Sequence, residues 1–230
     1  MAEKINLISA GAVKPGLAKV IESFRRKTGS NIKISFATAP AILKQIVDGA
    51  LVDIVIAPPA VLDELGKLNK VSHKDRVIVG RIGVGVMVRD GATPPQIATV
   101  DEFKEALRRA DSVVYNQAST GTYLEALFDR LGIAAQLAAN TTRYPDFAAV
   151  LDHVSKGKGR EIGLGATTVI IENSNKGVKF AGPLPGEIQN YTAYAAALTM
   201  VGAAKDPARE FLRHLTSPAA RSQLAAAGIE

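Results

Sequence analysis

The chain of 230 residues has no cysteine and no tryptophan, and only 5% of its residues are aromatic. The absence of cysteine excludes disulfides, thiol catalysis and cysteine-ligated metal sites, but it leaves the compartment open. The histidines, His73, His153 and His214, are scattered and lack the spacing of zinc ligands. We therefore expect no metal and no cofactor.

Long hydrophobic runs are also absent. No stretch approaches the roughly 18 apolar residues of a membrane span, so we expect no membrane insertion. A strand pattern begins at Ile5, with no hydrophobic leader in front of it. Two compartments stay open: the cytoplasm, or the periplasm if an export signal has been replaced by Met1.

The net charge of +6 favours an anionic partner. The basic residues are spread along helix faces without interleaved aromatics, and no DNA or RNA motif appears, so we do not expect nucleic-acid binding. The densest basic cluster, KGKGR at residues 156–160, is typical of a solvated turn. We also expect a monomer.

Hydrophobic periodicity predicts an α/β fold. In the first 65 residues three apolar strands, 5–8, 32–36 and 51–56, each lead through a loop into an amphipathic helix. Repeated strand–loop–helix units argue for a parallel sheet with right-handed crossovers. Further strands are predicted at 84–88, 112–114, 161–164, 178–180 and 191–201, and the last helices at 208–215 and 218–226.

The central motif is YNQASTGTYLE at residues 115–125. It follows the strand at 112–114 and enters a helix with apolar residues at i, i+3, i+4 and i+7. Thr122 and Glu125 form a capping-box pattern, which predicts a helix beginning at that threonine. Such a helix start offers free N–H groups and a positive dipole end, which suit an anion. The alternative is that Thr122 merely caps a helix.

Three other loops, at 9–14, 37–40 and 141–146, repeat this arrangement, each with a proline near a helix start. In open α/β sheets ligands sit beyond the carboxyl ends of the strands, so these loops predict an anion site in a cleft between two lobes. The predicted ligand-binding residues are Gly11, Ala12, Val13, Lys14, Thr38, Ala39, Ser119, Thr120, Gly121, Thr122, Arg143 and Tyr144.

Several stretches match one family in order and spacing: residues 5–17, 24–29, 36–38, 43–46 with Gly49, 53–57, 121–123, 211–212 and 217–220. On these stretches the chain resembles the molybdate-binding, type 2 periplasmic substrate-binding proteins of ABC transporters. The resemblance implies a two-lobed α/β fold with mixed sheets that closes over an anion. It implies lobe 1 from residues 1–80 and 190–230, lobe 2 from 81–189, and crossovers near 79–86 and 183–192. If the protein is exported, a membrane permease is the implied partner.

The same resemblance argues against molybdate. The positions of the family's oxyanion-binding serines and tyrosine correspond here to Ala12, Ala39 and Ala166. Each lost charge-assisted hydrogen bond is worth about 1.5–3 kcal/mol, so we expect neither molybdate nor tungstate as the ligand. Arg143 is the best candidate for bidentate carboxylate recognition, with Lys14 and Tyr144 beside it. The prediction is an organic (poly)carboxylate.

Three functions stay open. The first is a binding protein that closes on an organic anion without chemistry. The second is an isomerase on the same scaffold, resembling aconitate isomerase, with Asp146, Glu125 or His153 as candidate base. Asp146 and Glu125 also fit as helix N-terminal carboxylates, and His153 as a helix-face residue. The third is a domain with a vestigial cleft.

Overall fold

The computed structural model describes residues 4–72 and 74–230, so His73 lies outside the described residues. The chain divides into two compact units. Unit 1 comprises Met1–Ile82 and Ala193–Glu230, and unit 2 comprises Gly83–Thr192. In the described part of the chain no helix is long and apolar enough to cross a membrane.

The strands, in chain order, are β1 Lys4–Ala10, β2 Asn31–Ala37, β3 Ile54–Ala57, β4 Val77–Arg89, β5 Ser112–Asn116, β6 Thr141–Tyr144, β7 Glu161–Ala166, β8 Val178–Pro183 and β9 Tyr191–Leu198. The α-helices are α1 Lys14–Thr28, α2 Ala39–Val47, α3 Pro59–Lys67, α4 Val100–Arg109, α5 Ser119–Arg130, α6 Ala134–Leu137, α7 Phe147–Lys156, α8 Thr167–Glu172, α9 Asp206–Leu215 and α10 Pro218–Ala225.

In unit 1, β1 pairs in parallel with both β2 and β3, and β9 pairs antiparallel to β3. All four residues of β3 are buried, as expected of a strand covered on both faces. The helix α1 buries one apolar face that includes Leu17, Val20 and Phe24. Because parallel strands run in one direction, the loops after β1 and β2 leave the sheet at the same edge.

In unit 2, β5 lies between β6 and β7, parallel to both. The strand β4 pairs antiparallel with β7 and β8. One face of this sheet packs against α4, α5 and α6 through Phe103, Leu127 and Leu137. The other face packs against α7 and α8 through residues such as Val150 and Ile170.

The predicted α/β fold is confirmed, with local corrections. The third strand begins at Ile54 rather than residue 51, since Leu51 is exposed. The last strand ends at Leu198 instead of residue 201. Most importantly, Thr141–Tyr144 forms strand β6, whereas the sequence pattern predicted a loop.

Candidate functional site

The two predicted loops of unit 1 emerge side by side. β1 and β2 end in register, with Ala10 opposite Ala37. Gly11–Val13 then forms one 3-10 turn that leads into α1 at Lys14. Thr38 is the N-cap of α2, and Ala39 is its first residue. The structure therefore brings Gly11, Ala12, Val13, Lys14, Thr38 and Ala39 to one edge of the sheet.

The side chains at this edge contribute little that could bind a ligand. Val13 is fully buried in the core, so only its backbone faces the loop. The ammonium of Lys14 lies over the ring of Phe36, 6.0 Å from its centroid. Thr38 has extended backbone angles, and its side chain makes no capping hydrogen bond. Backbone N–H groups are thus the main donors that this edge offers.

The N-termini of α1, α2 and α5 are not capped by a side chain. Their N-cap residues, Val13, Thr38 and Ala118, make no side-chain capping hydrogen bond. The same holds for α3, α6, α8 and α9, whereas the side chains of Thr99, Asp146 and Ser217 cap α4, α7 and α10. The first N–H groups of a helix need an acceptor, and an anion can take the place of a missing cap.

The helix α5 begins at Ser119, so the capping box predicted for Thr122 and Glu125 is wrong. Thr122 lies in the first turn, and its N–H donates to the carbonyl of Ala118 at 3.1 Å. The capping box in this structure is instead formed by Thr99 and Glu102 in α4.

Gly121 is the reason that α5 can begin so close to the end of β5. A Cβ at this position would overlap the carbonyl oxygen of Asn116. The absence of a side chain therefore lets the first turn pack directly on the strand end. Proline removes one N–H from the first turn of α1 and of α2. In α5 the N–H groups of Ser119, Thr120 and Gly121 are all present.

Arg143 and Tyr144 point to opposite faces of β6, because successive strand residues alternate. Nη1 of Arg143 lies 2.6 Å from Oε1 of Glu125 in α5. The Tyr144 hydroxyl lies 2.8 Å from Nδ1 of His153 in α7. The structure therefore does not bring these two predicted ligand-binding side chains together.

The Arg143–Glu125 pair lines a cavity of about 410 Å³ on the α5 face of unit 2. Tyr115 also lines it. Burial raises the pKa of Tyr115, the negative charge of Glu125 raises it further, and Arg143 opposes this change. Tyr115 thus stays a neutral hydroxyl beside the ion pair.

The three candidate bases are all engaged. Oδ1 of Asp146 accepts from the N–H of Ala149 at 2.9 Å, which confirms it as a helix N-terminal carboxylate. Glu125 lies two turns into α5 and pairs with Arg143, so its predicted N-terminal position is wrong. His153 lies on α7 with Nε2 2.8 Å from the hydroxyl of Ser112, and its Nδ1 faces Tyr144.

A family model described as bacterial extracellular solute-binding protein matches residues 5–230. The chain belongs to this family. A curated relative named aconitate isomerase, from a Pseudomonas species, is 26% identical over 236 residues, covering 98% of this chain and 87% of the relative.

Solved structures confirm the type 2 periplasmic-binding-protein fold of this solute-binding protein. The periplasmic molybdate-binding protein of Azotobacter vinelandii has a TM-score of 0.80 at 18% identity, covering 98% of each chain. The sulfate-binding protein of Mycobacterium tuberculosis H37Rv has a TM-score of 0.78 at 18% identity, covering 98% of this chain and 86% of that one. The family model confirms the predicted solute-binding-protein family, and the two solved structures confirm the fold.

Sequence reasoning missed two features of the solute-binding protein. One is the hydrogen-bonded series Ser112–His153–Tyr144, which no sequence spacing predicts because its members come from three separate elements. The other is the contrast between capped and uncapped helices. The sequence indicates this feature, since the side chains of Val13 and Ala118 have no oxygen atom that could accept a capping hydrogen bond.

No group of three or more histidine, aspartate or glutamate side chains within residues 4–72 and 74–230 could hold a metal ion.

Proposed function

We propose that this protein is an ABC-transporter-type solute-binding protein whose ligand is a small organic (poly)carboxylate. The observation that carries the proposal is the set of uncapped N-termini on α1, α2 and α5. Two of these helices belong to unit 1 and one to unit 2. On this proposal a membrane permease is the partner that receives the ligand.

Electrostatics support an anion at these termini. Each helix N-terminus carries the equivalent of roughly half a positive charge, and none of the three has an acidic residue in its first turn. The α7 terminus differs, since Asp146 already supplies a carboxylate there. We therefore propose α1, α2 and α5, and not α7, as the anion-binding helices.

The choice of a carboxylate over molybdate follows from three alanines. Ala12 lies in the turn before α1, Ala39 begins α2, and Ala166 is the N-cap of α8. Each therefore occupies a helix start where a hydroxyl could serve a tetrahedral oxyanion, and none has one. A planar carboxylate needs fewer donors and is matched by backbone N–H groups.

A thermal-shift panel tests the ligand class. Molybdate, tungstate and sulfate should give little change in Tm at millimolar concentration. A well-matched di- or tricarboxylate at 100 times its Kd should raise the free energy of unfolding by about 2.7 kcal/mol. A clear shift with molybdate and none with any carboxylate would contradict the proposal.

Arg143 is proposed as a further ligand contact that must first leave Glu125. The Arg143 side chain is 34% exposed, so Arg143→Ala should weaken carboxylate binding by about 1.5–3 kcal/mol, the value of a charge-assisted hydrogen bond. Glu125→Gln should strengthen binding, since it removes the internal competitor for the guanidinium. Isothermal titration of both variants checks this, with Arg130→Ala on the same helix as Glu125 as control. Unchanged affinity in both variants would show that Arg143 does not contact the ligand. It would not contradict anion binding at the helix N-termini.

A second candidate function is an isomerase that moves a proton on a carboxylate substrate. The observation in its favour is the match to a relative named aconitate isomerase over 98% of this chain. The chain Ser112–His153–Tyr144 offers a proton path, because both imidazole nitrogens are within hydrogen-bond distance of a hydroxyl.

Proton exchange separates the two functions. An isomerase should incorporate deuterium from D2O into aconitate isomers, and Tyr144→Phe should lower that rate by roughly 10²–10⁴-fold if the hydroxyl transfers the proton. NMR follows the exchange, and Tyr191→Phe, on an exposed tyrosine, is the matched control. Binding without exchange across di- and tricarboxylates supports the solute-binding function alone.

A further inference from the structure

The amino edge of the unit 1 sheet is the end at which β1, β2 and β3 begin. Because α1 and α2 connect these parallel strands, both helices end at this edge, and the loops proposed for anion binding lie at the opposite one. β9 runs antiparallel to β3, so it also ends here. The segment after α3 joins the same edge, since the N–H of Ser72 donates to the carbonyl of Leu198 at 2.8 Å. The proposed function does not use this edge.

Large apolar side chains are exposed along this edge. Five of the eight that are exposed in the described part of the chain lie here: Leu51, Met200, Val201, Leu68 and Val47. Leu51 is 78% exposed and Met200 is 57% exposed. We call these five residues the apolar patch. Single exposed apolar residues are common on protein surfaces, whereas their concentration at one edge marks an interaction site.

Backbone contacts hold the members of the apolar patch together. The N–H of Met200 donates to the carbonyl of Lys70 at 3.1 Å, and Leu68 lies two residues before that lysine. The hydroxyl of the threonine that precedes Met200 donates to the carbonyl of Val52 at 2.5 Å, directly after Leu51. Met200 therefore lies between the segment that carries Leu51 and the segment that carries Leu68.

The same edge carries an excess of positive charge. Basic side chains occur in the last turns of α1, α2 and α3, at the start of β1 and after α3: Arg25, Arg26, Lys27, Lys44, Lys67, Lys4 and Lys70. Three of these residues pair with an acidic residue three or four positions away. Within residues 4–72 and 74–230, Lys4, Lys27 and Lys70 form no ion pair. Asp206, at the start of α9, is an exposed acid that offsets one of these charges.

We propose that the apolar patch and the basic side chains beside it bind unit 1 to the surface of an anionic lipid bilayer. The leucine, valine and methionine side chains enter the boundary between headgroups and acyl chains, and the lysines contact the lipid phosphates. The chain lies on the bilayer without crossing it. The loops after β1 and β2 stay in water, because they leave the opposite edge of the sheet.

The combination of apolar and basic side chains selects this partner. A nucleic acid would contact the basic side chains but would leave the apolar patch exposed to water. A second copy of the chain would bring two positively charged edges together, which is unfavourable. An anionic bilayer matches both features, since it offers negative charge at its surface and hydrocarbon directly beneath.

Co-sedimentation with lipid vesicles tests the proposal. The protein should partition onto vesicles of equal parts phosphatidylglycerol and phosphatidylcholine at least about tenfold more strongly than onto phosphatidylcholine alone. This expectation follows because each lysine near an anionic surface favours binding by about fivefold. Added salt should weaken the binding, since it screens the charges.

Single substitutions separate the two contributions. Leu51→Asn should lower partitioning onto the mixed vesicles by about tenfold, because the leucine side chain no longer enters the lipid. Ile171→Asn, on an exposed isoleucine of unit 2, is the matched control and should change it little. Lys27→Gln and Lys70→Gln should each weaken binding by about fivefold, whereas Lys158→Gln, on an exposed lysine of unit 2, should not.

Three outcomes would overturn the proposal. The first is no partitioning onto the mixed vesicles. The second is an equal loss in Leu51→Asn and Ile171→Asn, or in the Lys27 and Lys158 variants, which would show that this edge is not the contact. The third is a dimer in sedimentation velocity that Leu51→Asn dissociates, which would assign the apolar patch to a second copy of the chain. Circular dichroism checks that each variant folds, as expected for Leu51 because its side chain is exposed.

Discussion

Replacing Gly121 by alanine should destabilise unit 2 by about 3 kcal/mol, at the upper end of the usual cost of overpacking. The added Cβ overlaps the backbone oxygen of Asn116, which cannot rotate away as a flexible side chain could. The first turn of α5 must therefore move off the strand end, and its N–H groups move with it. We expect weaker ligand binding in addition to the lower stability.

Urea unfolding gives the free energy, and titration with the carboxylate found in the panel gives the affinity. Gly186→Ala is the matched control, because its Cβ meets no atom within 4 Å. An unchanged affinity in Gly121→Ala would show that the α5 terminus is not part of the binding site. An unchanged stability would contradict the close packing of Gly121 on Asn116.

Lys205→Met should lower the stability of unit 1 by about 3–5 kcal/mol, the range for breaking a buried ion pair from one side. Nζ of Lys205 lies 3.0 Å from Oδ1 of Asp53, whose side chain is 2% exposed. Methionine keeps most of the aliphatic stem but leaves that carboxylate without its cation. The lysine is 26% exposed, so water offsets part of the loss and the lower end of the range is expected.

Two variants test this reading. The same substitution at Lys67, whose ion pair with Glu64 is exposed, should cost no more than about 1 kcal/mol. Adding Asp53→Asn to Lys205→Met should recover much of the loss, since the amide oxygen can still accept from the N–H of Asn6. Equal effects at Lys205 and Lys67 would show that burial of Asp53 is not what matters.

Local pattern alone could not decide which of two similar motifs caps a helix. Thr99 with Glu102 and Thr122 with Glu125 have the same spacing, but only the first forms a capping box. At the Thr122–Glu125 motif, the close packing permitted by Gly121 lets the helix begin at Ser119, and Glu125 forms an ion pair with Arg143. The difference depends on neighbours that are distant in sequence.

The sequence predicted the loops but not the orientation of the side chains beside them. The loops after β1, β2 and β5 were located correctly, because apolar strands and proline-marked helix starts are local signals. Arg143 and Tyr144 were predicted to act together in a loop. Their segment is an edge strand, whose mixed polar residues carry a weak strand signal, and strand alternation separates them.

The sequence by itself determined the α/β class, the family and the order of elements, since these follow from periodicity and from motifs a few residues long. Only the tertiary structure decided where α5 begins, which of the two similar motifs forms a capping box, and which charges are paired. Those outcomes depend on contacts between residues far apart in the chain. Whether a hydrogen bond or an ion pair forms depends on distances of a few ångströms between atoms, and local sequence patterns do not specify those distances.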